Sequence, residues 1–289
     1  MAKVRSIDER EALLRGITDL HVHTMPDVRQ RKLSDIELAK EAARVGARAV
    51  VIKSHLVPTM DRAFITEKVV PGIRVFGGIT LNSPVGGLNA AAVDIAIKMG
   101  AKFVWLPTSY SAHEKRAMGT SGGVECVIDG KPVPDLVEVL KLVAQNDIVL
   151  STGHYSAREI RIVVEEAKKQ GVKKILVSHP EWTTMDISIE DQKGLADCGV
   201  MFERCYARKA NGVYDKNFAR NLDAIEKLGY QSTIISTDGG QMENPVWTEA
   251  LSEYIAYLLD AGLCQTIVDK MTKEYPARLL GLDDSGRLL

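Results

Sequence analysis

Eight short runs rich in apolar and β-branched residues alternate along the chain with longer segments of helical pattern, and this alternation sharply narrows the possible folds. The first run, GITDLHVH, is followed by SDIELAKEAARVG, which opens on Ser34 as a capping hydroxyl and closes on Gly46. The other runs are ARAVVIKSH, GIRVFGGITLN, AKFVWLPTSYS, DIVLSTGHYS, KKILVSHPEW, VMFERCY and STIISTDGG. They are nearly all apolar, as expected of parallel strands covered on both faces. Eight βα units in 289 residues predict an α/β fold, a (β/α)8 TIM-like barrel. The alternative is an open doubly wound sheet, which would carry a glycine-rich phosphate loop after its first strand. VGGLNA and SGGVEC have glycines, but at the wrong spacing and in the wrong context.

No Pro/Ser-rich linker, low-complexity tract or long charge run interrupts the pattern, so residues 1–289 read as a single domain. The main irregularity is 107–134, a long insertion after strand 4. Within it, VECVIDGKPV sets Asp129 and Gly130 between two short β-like runs, a hairpin signal. In a barrel this segment would lie at the mouth as a lid.

Lys and Arg number 37 against 38 Asp and Glu, for a net charge of -1. Such a chain sets up no field for nucleic acid or an anionic membrane, and a small-molecule partner is expected. The N-terminal MAKVRSIDEREALLRG is charged throughout and lacks the apolar core of a signal peptide. No later run approaches the roughly 18 apolar residues of a membrane span, so a cytoplasmic location is expected. Cys126, Cys198, Cys205 and Cys264 form no CxxC pair and read as reduced, structural thiols. A homo-oligomer is open only because symmetric assemblies are common among soluble enzymes.

Ionisable residues fall at the carboxyl ends of the strand-like runs. His21 and His23 end the first, and i, i+2 parity turns both imidazoles to one side. His55 ends the second, His154 the fifth, His179 the sixth and Asp238 the eighth. Of six histidines only His113 lies elsewhere, in the insertion. A lone His-x-His is a weak signal, but five strand-end histidines and a carboxylate would meet on the face where barrel enzymes carry their sites. Neutral imidazole and carboxylate suit zinc, with manganese, iron or nickel as alternatives, and three or four such ligands leave a position for water. Asp238 is then placed to take the water proton and return it to a leaving group. Asp19 shares the parity of His21 and His23 but sits deeper, as an acceptor that could orient an imidazole.

This set of residues resembles the amidohydrolase superfamily of metal-dependent hydrolases. The family pattern of His-x-His after strand 1, single histidines after strands 5 and 6 and an aspartate after strand 8 falls on His21 and His23, His154, His179 and Asp238. EYPARLLGLDDSGRL resembles the family's closing segment, with Tyr275 in place of its usual asparagine. The resemblance implies His21, His23, His154, His179 and Asp238 as metal ligands, with Asp238 and His179 as catalytic groups. It also implies hydrolysis of a C–N or C–O bond (amide, lactone or ester). FVWLPTSYS offers no lysine for the carboxylated bridge found in binuclear members, so the site holds one ion or bridges two by another group. Mononuclear decarboxylases and deaminases of the same superfamily are alternatives. The first three strands also resemble PHP-family phosphoesterases, but several of that family's ligand positions are occupied here by non-ligands, such as Ser54 and Thr80. Lys53, His55, Tyr110, His113 and Arg204 are candidate substrate-binding groups, and their charge favours a small anionic substrate.

Overall fold

The computed structural model describes residues 5–210, 213–283 and 286–288. Among them the strands are β1 (Thr18–Val22), β2 (Ala49–Ile52), β3 (Arg74–Phe76), β4 (Gly78–Thr80), β5 (Phe103–Trp105), β6 (Val127–Ile128), β7 (Lys131–Pro132), β8 (Val149–Ser151), β9 (Ile175–Ser178), β10 (Met201–Cys205), β11 (Ala207–Ala210), β12 (Val213–Lys216) and β13 (Thr233–Ser236). All eight expected strand runs contain strand. The chain divides into two compact units, each assembled from separated segments.

The first unit comprises Met1–Ile52, Arg62–Phe76 and Arg204–Leu289. β1, β2 and β3 pair in parallel in that order, with Thr18 opposite Ala49 and Ala49 opposite Arg74. The end of β1 continues beside the residues after β13: Val22 bridges Gly239, and the His23 N–H donates to the Gly239 carbonyl at 2.9 Å. The helix Asp35–Arg44 starts where the sequence announces it, since Ser34 and Glu37 form a reciprocal capping box. Its Leu38, Ala39 and Ala42 form a stripe that packs with Val50, Ile52, Val75, Trp247, Leu251 and Tyr254. β11 and β12 form an antiparallel hairpin that the strand pattern did not predict.

The second unit comprises Lys53–Asp61 and Gly77–Glu203. Its strands pair in parallel in the order β4, β5, β8, β9, β10, with Gly78 opposite Phe103, Phe103 opposite Val149, Leu150 opposite Ile175 and Leu176 opposite Met201. The helices Pro134–Gln145 and Ala157–Lys169 bury i, i+3, i+4 stripes through Leu136, Val139, Leu140 and Val143 and through Ile160, Val163, Val164 and Ala167. Strand residues such as Val104, Leu150, Leu176 and Phe202 are fully buried, as the apolar runs required.

The third expected strand divides into β3 and β4, and the reason is local. A Cβ at Gly77 would lie 2.4 Å from the Thr59 carbonyl oxygen, and Thr59 makes three hydrogen bonds with Gly78. Residues 107–134 contain a short helix, Ala112–Ala117, and the predicted hairpin of β6 and β7. Asp129 (φ 50°) and Gly130 (φ 72°) supply the two left-handed residues that its turn needs. Among the described residues no helix is long and apolar enough to cross a membrane.

Candidate metal centre

In the first unit the parity of β1 has the expected effect. His21 Nε2 and His23 Nε2 stand 3.3 Å apart, and Asp238 Oδ1 lies 3.1 Å from the first and 3.2 Å from the second. All three ligand atoms lie within 4.8 Å of one another, the compactness a single divalent ion needs. The histidines are buried, while the Asp238 side chain is 12 % exposed and so gives the group its contact with solvent.

Two backbone features create this proximity. Asp238 has φ 47°, a left-handed conformation uncommon for a non-glycine residue, and follows β13 by two positions. Gly240 (φ 106°) lies so close to β1 that a Cβ there would fall 1.8 Å from the His23 carbonyl oxygen. Only glycine permits that approach.

Burial pushes the His23 imidazole down to about 3, so it is neutral and its lone pair is available to a metal. Burial alone would push the Asp238 carboxyl up, but the adjoining His21 and His23 outweigh it and hold the carboxyl well below its usual range. His21 Nε2, His23 Nε2 and one Asp238 oxygen form a donor set suited to zinc-like divalent ions.

Asp19 lies beneath this group but does not orient an imidazole. It accepts from the His21 N–H at 3.1 Å, the Thr237 N–H at 3.2 Å, the Thr237 hydroxyl at 2.7 Å and the Trp247 indole N–H at 2.8 Å. The carboxylate therefore fixes the backbones that carry His21 and Asp238. Burial raises it to about 6, against the lowering effect of these donors.

The second unit brings His154 and His179 together. Their ring centroids are 4.8 Å apart at 73°, and Trp182 lies 5.3 Å from the His179 ring and 6.3 Å from His154. His179 has φ 24° and follows β9 directly. Gly153 (φ 66°) lets the chain turn against the carbonyls of Leu106 and Pro107, where a Cβ would stand 2.3 Å from the Pro107 oxygen. Glu114, on the helix Ala112–Ala117, places Oε2 3.4 Å from His154 Nδ1.

The candidate substrate-binding residues have varied surroundings. Lys53 is buried with Nζ 5.4 Å from the centroid of the Trp105 ring. His55 Nδ1 is 2.8 Å from the Thr108 hydroxyl, which also accepts from Asn82. Tyr110 is half-buried beneath Lys115, and His113 Nε2 lies 2.8 Å from the Thr184 carbonyl. Arg204 is fully buried, and its Nε donates to the Thr233 hydroxyl at 3.3 Å. Sequence reasoning did not find Thr237, Trp247 or Glu114. Thr237 adjoins Asp238, but nothing in the spacing marks the other two.

Residues 16–203 match a family described as "Family of unknown function (DUF6282)". The chain belongs to DUF6282. The match takes in His21, His23, His154 and His179 of this DUF6282 member, whereas Asp238 lies beyond it. No curated protein matches the chain. Among solved structures, an amidohydrolase from Pseudomonas aeruginosa aligns at TM-score 0.62 with 15 % identity, over 98 % of this chain and 100 % of that one. A dihydroorotase aligns at 0.61 with 16 % identity, over 93 % and 83 %. The probable dipeptidase PvdM from Pseudomonas aeruginosa aligns at 0.65 with 9 % identity, over 96 % and 97 %. The DUF6282 chain therefore has the TIM-like barrel fold of amidohydrolase-superfamily structures.

Proposed function

We propose that the protein is a metal-dependent hydrolase that cleaves a C–N or C–O bond (amide, lactone or ester) of a small, anionic substrate. The observation that carries this reading is the cluster of His21, His23 and Asp238, with three ligand atoms 3.1–3.3 Å apart at the ends of β1 and β13. Structures with the same fold include a dihydroorotase and a probable dipeptidase, which supports hydrolysis as the reaction class. A divalent ion held by these residues, zinc foremost, supplies Lewis acidity and an activated water near neutral pH.

The chain's own residues do the rest. The buried, neutral His23 offers a lone pair without first losing a proton. Asp238, kept ionised by its imidazole neighbours, accepts a proton from the attacking water and delivers it to the leaving amine or alkoxide. His154 and His179 form a second donor pair, and His179 is assigned to the metal or to the substrate. Lys53, His55, Tyr110, His113 and Arg204 are assigned to an anionic substrate, Lys53 and Arg204 as buried cations.

The test is elemental analysis of tag-free protein alongside a double variant, His21→Ala with His23→Ala. We expect one or two equivalents of metal in the wild type and at least one fewer in the variant. Asp238→Asn should lower turnover about 10²- to 10⁴-fold on any substrate found. Oxygen-18 from solvent should enter the product, which separates hydrolysis from decarboxylation. Wild-type protein that binds no zinc, manganese or nickel after reconstitution would refute the proposal.

A further inference from the structure

The insertion after β5 lies against the His154 segment at several points. The Ser111 hydroxyl donates to the His154 carbonyl at 2.5 Å, and the Tyr155 phenol donates to the Val124 carbonyl at 2.7 Å. Ser111 also caps the helix Ala112–Ala117, accepting from the Glu114 N–H at 3.0 Å. One serine thus ties the start of that helix to the backbone of His154. Thr184 donates its hydroxyl to Glu114 Oε2, and its carbonyl lies 2.8 Å from His113 Nε2. Glu114 is thereby held with Oε2 3.4 Å from His154 Nδ1.

His154 itself is 5 % exposed, and among the described residues neither of its ring nitrogens has a hydrogen-bond partner of good geometry. A buried imidazole in that condition is costly unless something approaches each nitrogen. An ionised carboxylate has only acceptors to offer, so beside Nδ1 it selects the tautomer with the proton there. That leaves the Nε2 lone pair free to bind.

We propose that Glu114 is a positioning residue for His154: it fixes the Nδ1–H tautomer and directs the Nε2 lone pair outward as a donor. The inserted segment is then part of the site's framework. The inference rests on the metal reading of His154 given above, but its first test does not.

The experiment is ¹⁵N NMR of histidine-labelled, metal-free full-length protein at a pH where imidazoles are neutral, with the His154 signals assigned through His154→Gln. In the wild type His154 should be in the Nδ1–H form. Glu114→Ala should shift it mainly to the Nε2–H form. Zinc affinity of Glu114→Ala should fall about 10- to 100-fold. Glu114→Leu, similar in size and with no acceptor to offer, gives the same readout if the alanine variant does not fold.

An unchanged tautomer in the variants overturns the proposal. So does loss of a whole metal equivalent with the tautomer unchanged, since Glu114 would then itself be a ligand. A tautomer shift in a protein whose wild type takes up no metal upholds the positioning role and removes the metal reading instead.

Discussion

The two histidine groups are built in different ways. His21, His23 and Asp238 come from the ends of β1 and β13; a bridge joins Val22 to Gly239, three residues beyond β13, and Asp19 fastens both segments from below. His179 follows β9 directly, as His23 follows β1, but His154 stands three residues beyond β8, and its contacts run to the 107–134 segment. The bridge and the Asp19 hydrogen bonds set the geometry of the first group. A histidine carried on a loop, as His154 is, needs side chains from elsewhere to fix it.

Glycine substitutions should break both groups at their narrowest points, and here the largest effects are expected. In Gly240→Ala the new methyl would fall 1.8 Å from the His23 oxygen at φ 106°, so β1 and the chain after β13 must separate. Gly153→Ala meets the Pro107 oxygen at 2.3 Å and φ 66°. Each should lose roughly 3 kcal/mol or more of stability, by strain and backbone overlap. The two should differ in metal retention, since Gly240→Ala pulls His23 from Asp238 while Gly153→Ala leaves that trio in place. Chemical denaturation and metal analysis on both variants read this difference. Equal metal loss would mean that the two groups do not act separately.

A pH titration sharpens the comparison because Asp19 belongs to the first group alone. Its carboxyl is raised to about 6 from a usual value near 4, so between those pH values the folded protein holds a proton that the unfolded chain has released. Protonation thus favours the fold at low pH, and this contribution is lost as pH rises through about 6. For the metal-free protein it amounts to as much as about 3 kcal/mol. Asp19→Asn should remove that slope while costing stability at every pH, because an amide cannot accept from all four donors. Urea unfolding of both proteins from pH 4 to 7 measures it, and parallel curves would refute the assignment.

The sequence made the strand ends legible because apolar runs mark parallel strands and the histidines sit where those runs stop. The 107–134 hairpin was legible through Asp129-Gly130, which the two-residue turn requires. The antiparallel pair of β11 and β12 was not legible, since the apolar run VMFERCY ends before it and neither ARKA nor VYDK is an apolar run. The break between β3 and β4 depends on Thr59, some twenty residues away, and no local pattern reports such a contact. Glu114 was hidden for a related reason: its distance from the strand end is set by the fold of an insertion, whereas β1 parity acts over two residues. The left-handed turns at His179 and Asp238 were also invisible, since neither residue type demands one.

The smallest effect compares two helix caps of the same chemistry, one in each unit. Ser34 with Glu37 and Ser156 with Glu159 both form reciprocal capping boxes, so replacing either serine by alanine should cost about 1 kcal/mol. Glu37 has no further role in the first group, whereas Glu159 also pairs with Arg116 at 3.0 Å and lies 3.6 Å from His113, both in the insertion. Ser34→Ala should therefore change stability alone. Ser156→Ala should in addition loosen the insertion, raising amide exchange in the helix Ala112–Ala117 and beside His154. Hydrogen exchange read by mass spectrometry on the two variants makes the comparison. If exchange in 112–117 rises equally in both or in neither, the second group does not depend on the 107–134 segment, and the contrast between the two groups fails.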